Sequence, residues 1–416
     1  VWLAVVCAWI LLVPISRAQG REDEGRDEVF ERIDPYTKGE SRALDRLGYV
    51  SFGPFPFAQG IKTTDVEETL GVPRVLWVET AHFKLGSTLR SYKLHVDSRE
   101  EKKLKLELER LLSRMDKPTP PQGKLDPWLR LHLYAQRLEE QYADFCTRFG
   151  VKDADFADPN SKSGSGATAK ARPGDPGYMG EGPYLGQAMK FTVLLTEKPS
   201  TMARFASRWI KHAGADSFRD GLPGGSMFLG TAAQTWRDFG YELDATLQCV
   251  VADDLAHNLL DGFRNAWSAV PVWFKEGLAY WYARESDPRF PVYAKGALRN
   301  LGDDSWKWEP RIHGLVQNQL VLSWSDMMAW QERADIRPQE HMIAWSRVAW
   351  LLSLKNADLH AFLMGVTDSE LAVPEADRAR VRLEKATKAL AAAFGKTPEE
   401  LDQAWRRYVL ATYAKK

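Results

Sequence analysis

The sequence has little cysteine: three in 416 residues, at Cys7, Cys146 and Cys249. That excludes a disulfide framework, the usual support of a small secreted scaffold. Cys7 falls in an apolar N-terminal run, so two thiols remain. They either pair in an oxidising compartment or serve as small buried hydrophobes. An excess of charge of either sign is also missing, with 56 Lys plus Arg against 56 Asp plus Glu. No basic face therefore points to nucleic acid, and no acidic run points to a solvating tail. After residue 14 no apolar run is long enough to span a bilayer. Glycine-rich phosphate loops, a G-x-S-x-G elbow, C-x-x-C pairs and internal repeats are absent. What is present is ordinary globular composition, 44% hydrophobic and 27% charged. The length suffices for two or three packed units.

Residues 1–18 read as a secretory signal peptide. The apolar stretch Val1 to Pro14 is short for a span, and Ser16-Arg17-Ala18 has the small-x-small cleavage pattern. An uncleaved anchor is the competing reading. The expected location is secreted or periplasmic, in a bacterial envelope, with no further membrane span. Residues 19 to about 45 are charged and lack apolar periodicity, as expected of a solvated leader. Residues 19–70 as a whole read as leader and N-terminal extension.

The rest divides by pattern. Arg74 to Lys84 is strand-like, and Ser98 to Met115 is helical until the Pro-rich break at 117–123. Asp126-Pro127 opens another helix that runs towards Phe149. Residues 158–183, rich in Gly, Ser and Pro, read as a flexible loop. Strands are expected at Lys190–Thr196 and Ser226–Gly230, and helices at Thr201–His212, Tyr241–Phe263 and Val272–Arg284. From about Ser325 the pattern is helical to the end. Strands mixed with helices, then helices alone, predict an α+β fold. The expected division is a sheet-bearing unit at 71–265 and a helical unit at 266–416.

The chemistry concentrates in two of these helices. Asp253 and His257 are four apart in Asp253-Asp254-Leu255-Ala256-His257, so they share a helix face, with Cys249 one turn earlier. Leu247, Val251, Leu255 and Leu259 form another face that can anchor in a core. With eighteen residues intervening after His257 comes Glu276, within Trp273-Phe-Lys-Glu-Gly-Leu-Ala279.

These two segments resemble the peptidase MA-like gluzincins, the thermolysin-type zincins. In that group an H-E-x-x-H helix supplies two zinc ligands and a general-base glutamate. A second helix supplies a third ligand, often within W-x-x-E-G-x-A. The resemblance covers roughly residues 75–416, with sharp motifs only at 253–282. It implies a zincin-like α+β fold, with Asp253, His257 and Glu276 at the ligand positions and Asp254 at the base position. Two ligands at i and i+4 and one from a neighbouring helix can hold a tetrahedral cation that keeps a water.

Two departures stand in the first helix. Asp253 replaces the first ligand His, and Asp254 replaces the base Glu. An oxygen-rich ligand set shifts preference from zinc toward harder divalent cations. The Asp254 carboxylate retreats by about 1.5 Å, one C–C bond, and general-base work depends on reach to the water. The leading expectation is therefore an exported peptidase homologue with hydrolysis impaired, binding a peptide or envelope partner in its former cleft, with zinc, another divalent cation or no ion. One alternative is an active metallopeptidase with an Asp/His/Glu site. Another is a carbohydrate- or wall-binding structural protein, given 16 Trp. Most Trp fall in apolar-periodic segments and read as core, with Trp306 and Trp308 as exceptions. His341, which opens a later helix, is the candidate for stabilising an oxyanion. Tyr280, one turn after Glu276, reads as packing.

Overall fold

The computed structural model of the chain describes residues 33–94, 98–115, 123–156, 171–210, 217–238, 244–266, 269–290, 306–367 and 375–413. The signal-peptide segment and most of the charged leader lie outside the described residues. In chain order, α1 (Ser41–Leu47) leads into β1 (Tyr49–Ser51), the paired β2 (Pro56–Ala58) and β3 (Ile61–Lys62), and α2 (Thr63–Leu70). Next come β4 (Leu76–Thr80), β5 (Phe83–Ser87), β6 (Tyr92–Lys93), α3 (Ser98–Leu112), β7 (Lys124–Leu125) and α4 (Pro127–Phe149). Then follow β8 (Phe191–Thr196), α5 (Pro199–Phe205), β9 (Ser217–Leu222), β10 (Ser226–Ala232), α6 (Ala233–Asp238) and α7 (Asp244–Gly262). The remainder is helical: α8 (Val272–Ser286), α9 (Trp308–Gln317), α10 (Trp324–Met328), α11 (Pro338–Leu352), α12 (Asn356–Thr367), α13 (Glu375–Phe394) and α14 (Pro398–Thr412). The α+β class expected from the sequence holds. No described helix is long and apolar enough to cross a membrane.

The main sheet has six strands in the order β1-β4-β5-β8-β10-β9. Its centre, β5-β8-β10, is parallel, and both flanks are antiparallel. Helices cover both faces, which is why Phe-Thr-Val-Leu-Leu-Thr of β8 is buried at every position. Leu85, Val193 and Leu229 point to one side, where Leu133, Phe145, Leu255 and Leu259 of α4 and α7 meet them. Trp77, Leu194 and Phe228 point to the other, against Val66, Leu70, Met202 and Phe205 of α2 and α5. The division expected at 265/266 falls between α7 and α8, and one apolar core runs across it into the C-terminal helices.

Several boundaries differ from the sequence expectations. Residues 74–84 are not one strand: β4 turns back into β5 at Ala81-His82, a pair without turn-forming chemistry of its own. The turn is held from outside, by Glu139 of α4. Its carboxylate accepts from the His82 amide (3.0 Å) and the Thr80 hydroxyl (2.5 Å), and meets His82 Nδ1 at 2.6 Å. Asp153 meets His82 Nε2 at 3.1 Å, and Tyr142 stacks on the ring. Burial opposes charge on this imidazole, but the hydrogen bonds to Asp153 and Glu139 outweigh it and hold its pKa up at about 9.

The end of the leader is folded rather than solvated. Asp34 is buried with its carboxylate 3.2 Å from His132 Nε2 of α4, and β1 joins the sheet. The helix expected at 201–212 is shorter, α5 followed by a wider turn at Ala206–Ile210. Of the loop 158–183, residues up to 170 lie outside the described part. From 171 on it is tied down, with Tyr178 donating to the buried Glu79 at 2.6 Å. Trp308 is buried rather than loop-exposed, because it opens α9 beneath Arg284 and Trp345. Cys146 and Cys249 are both free thiols, the second buried.

Candidate functional site

The site forms where α7, α8 and α11 pack. The start of α7 is anchored by Asp244, which meets Arg130 at 2.6 Å and Arg137 at 3.4 Å, both from α4. Between the sheet and α8, α7 is buried nearly all round, the condition for a helix apolar on more than one face. Its polar residues Asp253, Asp254 and His257 are therefore carried inside. The approach of α8 to α11 is set by Gly277. A Cβ there would lie 2.5 Å from Val348 Cγ2 and 2.6 Å from the Ala344 carbonyl oxygen. Gly277 thus brings α8 close enough for Tyr280 to reach His341 of α11, while Glu276 reaches α7.

A continuous polar chain results. His257 Nε2 is 3.5 Å from Glu276 Oε1. The Tyr280 hydroxyl donates to Glu276 Oε2 at 2.5 Å and is 2.8 Å from His341 Nδ1. A phenol has one proton, and the carboxylate takes it. The second contact therefore assigns the proton to His341 Nδ1, with Tyr280 oxygen accepting. Burial, helped by Arg333, pushes the His341 pKa down to about 3, so the ring is neutral. Burial and the Glu276 charge push the Tyr280 phenol well above its ordinary range.

Two arginines close the site. Arg219 of β9 puts Nε 3.7 Å from Asp254 Oδ1 and pairs with Asp261 at 3.0 Å. Arg333, in the turn Arg333–Asp335 before α11, places Nε 3.7 Å from Glu276 Oε2. Burial works against its charge, but Glu276, Tyr280, Asp253 and Asp254 outweigh that and raise its pKa. Cys249, one turn before Asp253, points away to the Asp287 carbonyl at 3.5 Å. Burial, with Asp287, pushes its thiol up, which makes it a poor nucleophile.

Of the residues singled out in the sequence, the structure joins His257, Glu276 and, through Tyr280, His341. Asp253 and Asp254 lie on α7 within electrostatic reach of Arg333. Tyr280 is a correction: it links two site residues rather than merely packing, and its i+4 spacing from Glu276 was the visible signal. Arg219 and Arg333 went unmarked. No local pattern distinguishes Ser217–Leu222 as a strand beside the site, or Gln331–Asp335 as a turn over it.

A three-ligand metal centre needs three converging donors with one position open to water. Among the described residues no three His, Cys, Asp or Glu side chains are arranged in that way. Glu276 Oε1 faces His257, and Oε2 is taken by Tyr280 with Arg333 beside it. The side chains as placed do not fit a zinc ion. Two further histidines lie outside this group: His313 is buried in α9, and His360 bonds the Phe149 carbonyl at 2.9 Å. Of the described Trp, Trp209, Trp281, Trp306 and Trp330 are half-buried and the others are buried. No family model, curated protein or solved structure matches the chain.

Proposed function

We propose that the chain is an exported, zincin-like protein descended from a gluzincin-type metallopeptidase. Peptide hydrolysis is lost, and the former active-site region, bordered by α7 and β9, binds a peptide or envelope partner. The observation that carries the reading is the pairing of His257 on α7 with Glu276 on α8 at 3.5 Å. Those are the two positions at which the sequence keeps the family's ligand residues. Tyr280 and His341 then extend the same chain. The supporting architecture is a mixed sheet whose last strand, β9, runs antiparallel to β10 beside α7. Among the described residues no strand pairs with the outer edge of β9. Its backbone groups can take an extended peptide by strand addition.

The chemistry of the substituted residues supports loss of hydrolysis. Asp254 is shorter than the glutamate base, and its Oδ1 lies 3.7 Å from Arg219 Nε, so it reaches less far toward a water at the base position. Its carboxylate is thus held towards β9. His341 is neutral, with its proton committed to Tyr280, so it cannot supply positive charge to an oxyanion without rearranging that bond. Export rests on the apolar run before Ser16-Arg17-Ala18.

Metal analysis of the purified chain, with a cleavage assay on an unfolded protein, tests this. The expected result is substoichiometric zinc and no cleavage. Stoichiometric zinc with cleavage that Glu276→Ala abolishes would overturn it and establish the active Asp/His/Glu reading. The double change Asp253→His with Asp254→Glu supplies the second arm. Activity created from nothing supports a lost peptidase. Activity merely retuned supports a working one.

A further inference from the structure

We propose that the chain has a second binding site, a cavity between α3, the start of α7 and the end of α8, which takes the carboxylate of a free amino acid or of a short peptide. The inference does not rest on the metallopeptidase reading. None of His257, Glu276, Tyr280 and His341 lines this cavity.

The cavity measures about 530 Å³, within the roughly 300–1,000 Å³ range of small-molecule sites. Six helices contribute to it: α3, α4, the first turns of α7, the last turn of α8, α9 and α11. Buried ionic groups of the wall already have partners. Arg137 meets Glu107 at 2.7 Å and Asp244 at 3.4 Å. Arg284 meets Glu309 at 3.3 Å and lies over the rings of Trp308 and Trp345, at 4.2 and 4.5 Å. These contacts set the shape of the wall before any ligand arrives, which lowers the ordering cost of binding.

What the wall leaves unmatched defines the ligand. Gln248 lines the cavity yet is only 7% exposed, and its buried amide oxygen has no hydrogen-bond partner among the described residues. A buried amide oxygen in that state costs free energy until an N–H or O–H reaches it. Arg284 Nε is buried and unpartnered in the same way. Lys103 Nζ donates to the Glu285 and Ser286 carbonyls, at 2.9 and 3.0 Å, at the end of α8. An ammonium has three N–H donors, so one is left over, and no described carboxylate pairs with it. Leu106, also in the wall, is 58% exposed, and Trp345 adds a second apolar surface.

An amino-acid carboxylate complements the Lys103 ammonium, and the amino or amide N–H beside it can donate to Gln248. Leu106 and Trp345 suit an aliphatic side chain. A simple anion such as acetate would leave the Gln248 oxygen unbonded, because it brings no N–H.

The test is calorimetric titration of the full chain with leucine, the dipeptide Ala-Leu, Ala-Leu amide and acetate. Leucine or Ala-Leu should bind saturably at one equivalent, and the tighter of the two identifies the free amino acid or the peptide end as the source. Ala-Leu amide, which lacks the carboxylate, and acetate should bind roughly tenfold or more weaker. Lys103→Met keeps the stem and Gln248→Leu keeps the volume. Each should weaken the better probe by a similar factor, with the thermal midpoint showing that both variants fold. Glu276→Ala should leave that affinity unchanged. The inference fails if neither leucine nor Ala-Leu binds saturably at millimolar concentration, or if the two cavity variants fold and bind as wild type does. Binding lost in Glu276→Ala would place the probe at the α7–α8 site, which overturns this inference and leaves the peptide-binding reading of that site standing.

Discussion

Tyr280 has one proton and two neighbours, and that shortage defines the local chemistry. The phenol donates to a buried carboxylate, and bonds of that kind contribute about 1.5–3 kcal/mol. Tyr280→Phe removes this bond and strands the His341 proton. It should lower stability by roughly 2 kcal/mol, read from urea denaturation midpoints. A change below about 0.5 kcal/mol would show that the contact is incidental. The pairing was half legible in the sequence. Helical spacing puts residue 280 over residue 276, but nothing local says that His341, on a helix 61 residues later in the chain, completes it. Arg333 was less legible still. Its partner is a carboxylate on a different helix, and its own neighbours Gln331, Glu332 and Asp335 read as solvated turn.

At the scale of elements, the contact of α8 with α11 depends on a hydrogen atom where other residues carry a methyl. Ala has the higher helix propensity by about 1 kcal/mol, so Gly277→Ala would stabilise an isolated α8. Here the added Cβ meets Val348 and the Ala344 carbonyl at distances that real side chains do not adopt. Overpacking of this kind costs about 1–3 kcal/mol, and the clash should win. Calorimetry should show a lowered Tm, and Tyr280 should lose its contact with His341. A neutral or stabilising result would mean that the helices are looser than described. Helices α7 and α8 were readable because of their uninterrupted runs of helix formers and their punctuation, with Pro271 just before α8. The β4–β5 turn was not, because a helix 57 residues further on supplies its chemistry through Glu139. Strand β9 was missed because Ser-Phe-Arg-Asp-Gly-Leu alternates too weakly, and pairing with β10 makes it a strand.

For the whole molecule, the His82 cluster ties the sheet to α4 and to the turn at Asp153, and it gives stability a pH profile. His82 is held at about 9 when folded against an ordinary value near 6.5. The folded state therefore binds more protons between those values. Its contribution, up to roughly 3 kcal/mol, is complete below pH 6.5 and lost as pH rises through 9. Burial raises the pKa values of Glu139 and Asp153, but their bonds to His82 outweigh it and hold both low, so their share is lost on acidification. Urea midpoints measured from pH 6 to 10 should fall across the alkaline limb, and His82→Gln should flatten it. An unchanged slope in that variant would remove His82 as the cause.

The parallel pairing of β5 with β8 also sets a timetable. Phe83 lies opposite Phe191, so the centre of the sheet joins segments about a hundred residues apart in the chain. During synthesis, β4 and β5 can pair as soon as they emerge, but the outer edge of β5 has no partner strand until β8 arrives. Non-local parallel pairing of this kind is slow, on the order of milliseconds to seconds. A chaperone that holds the Phe83–Ser87 edge would act on the step that limits assembly.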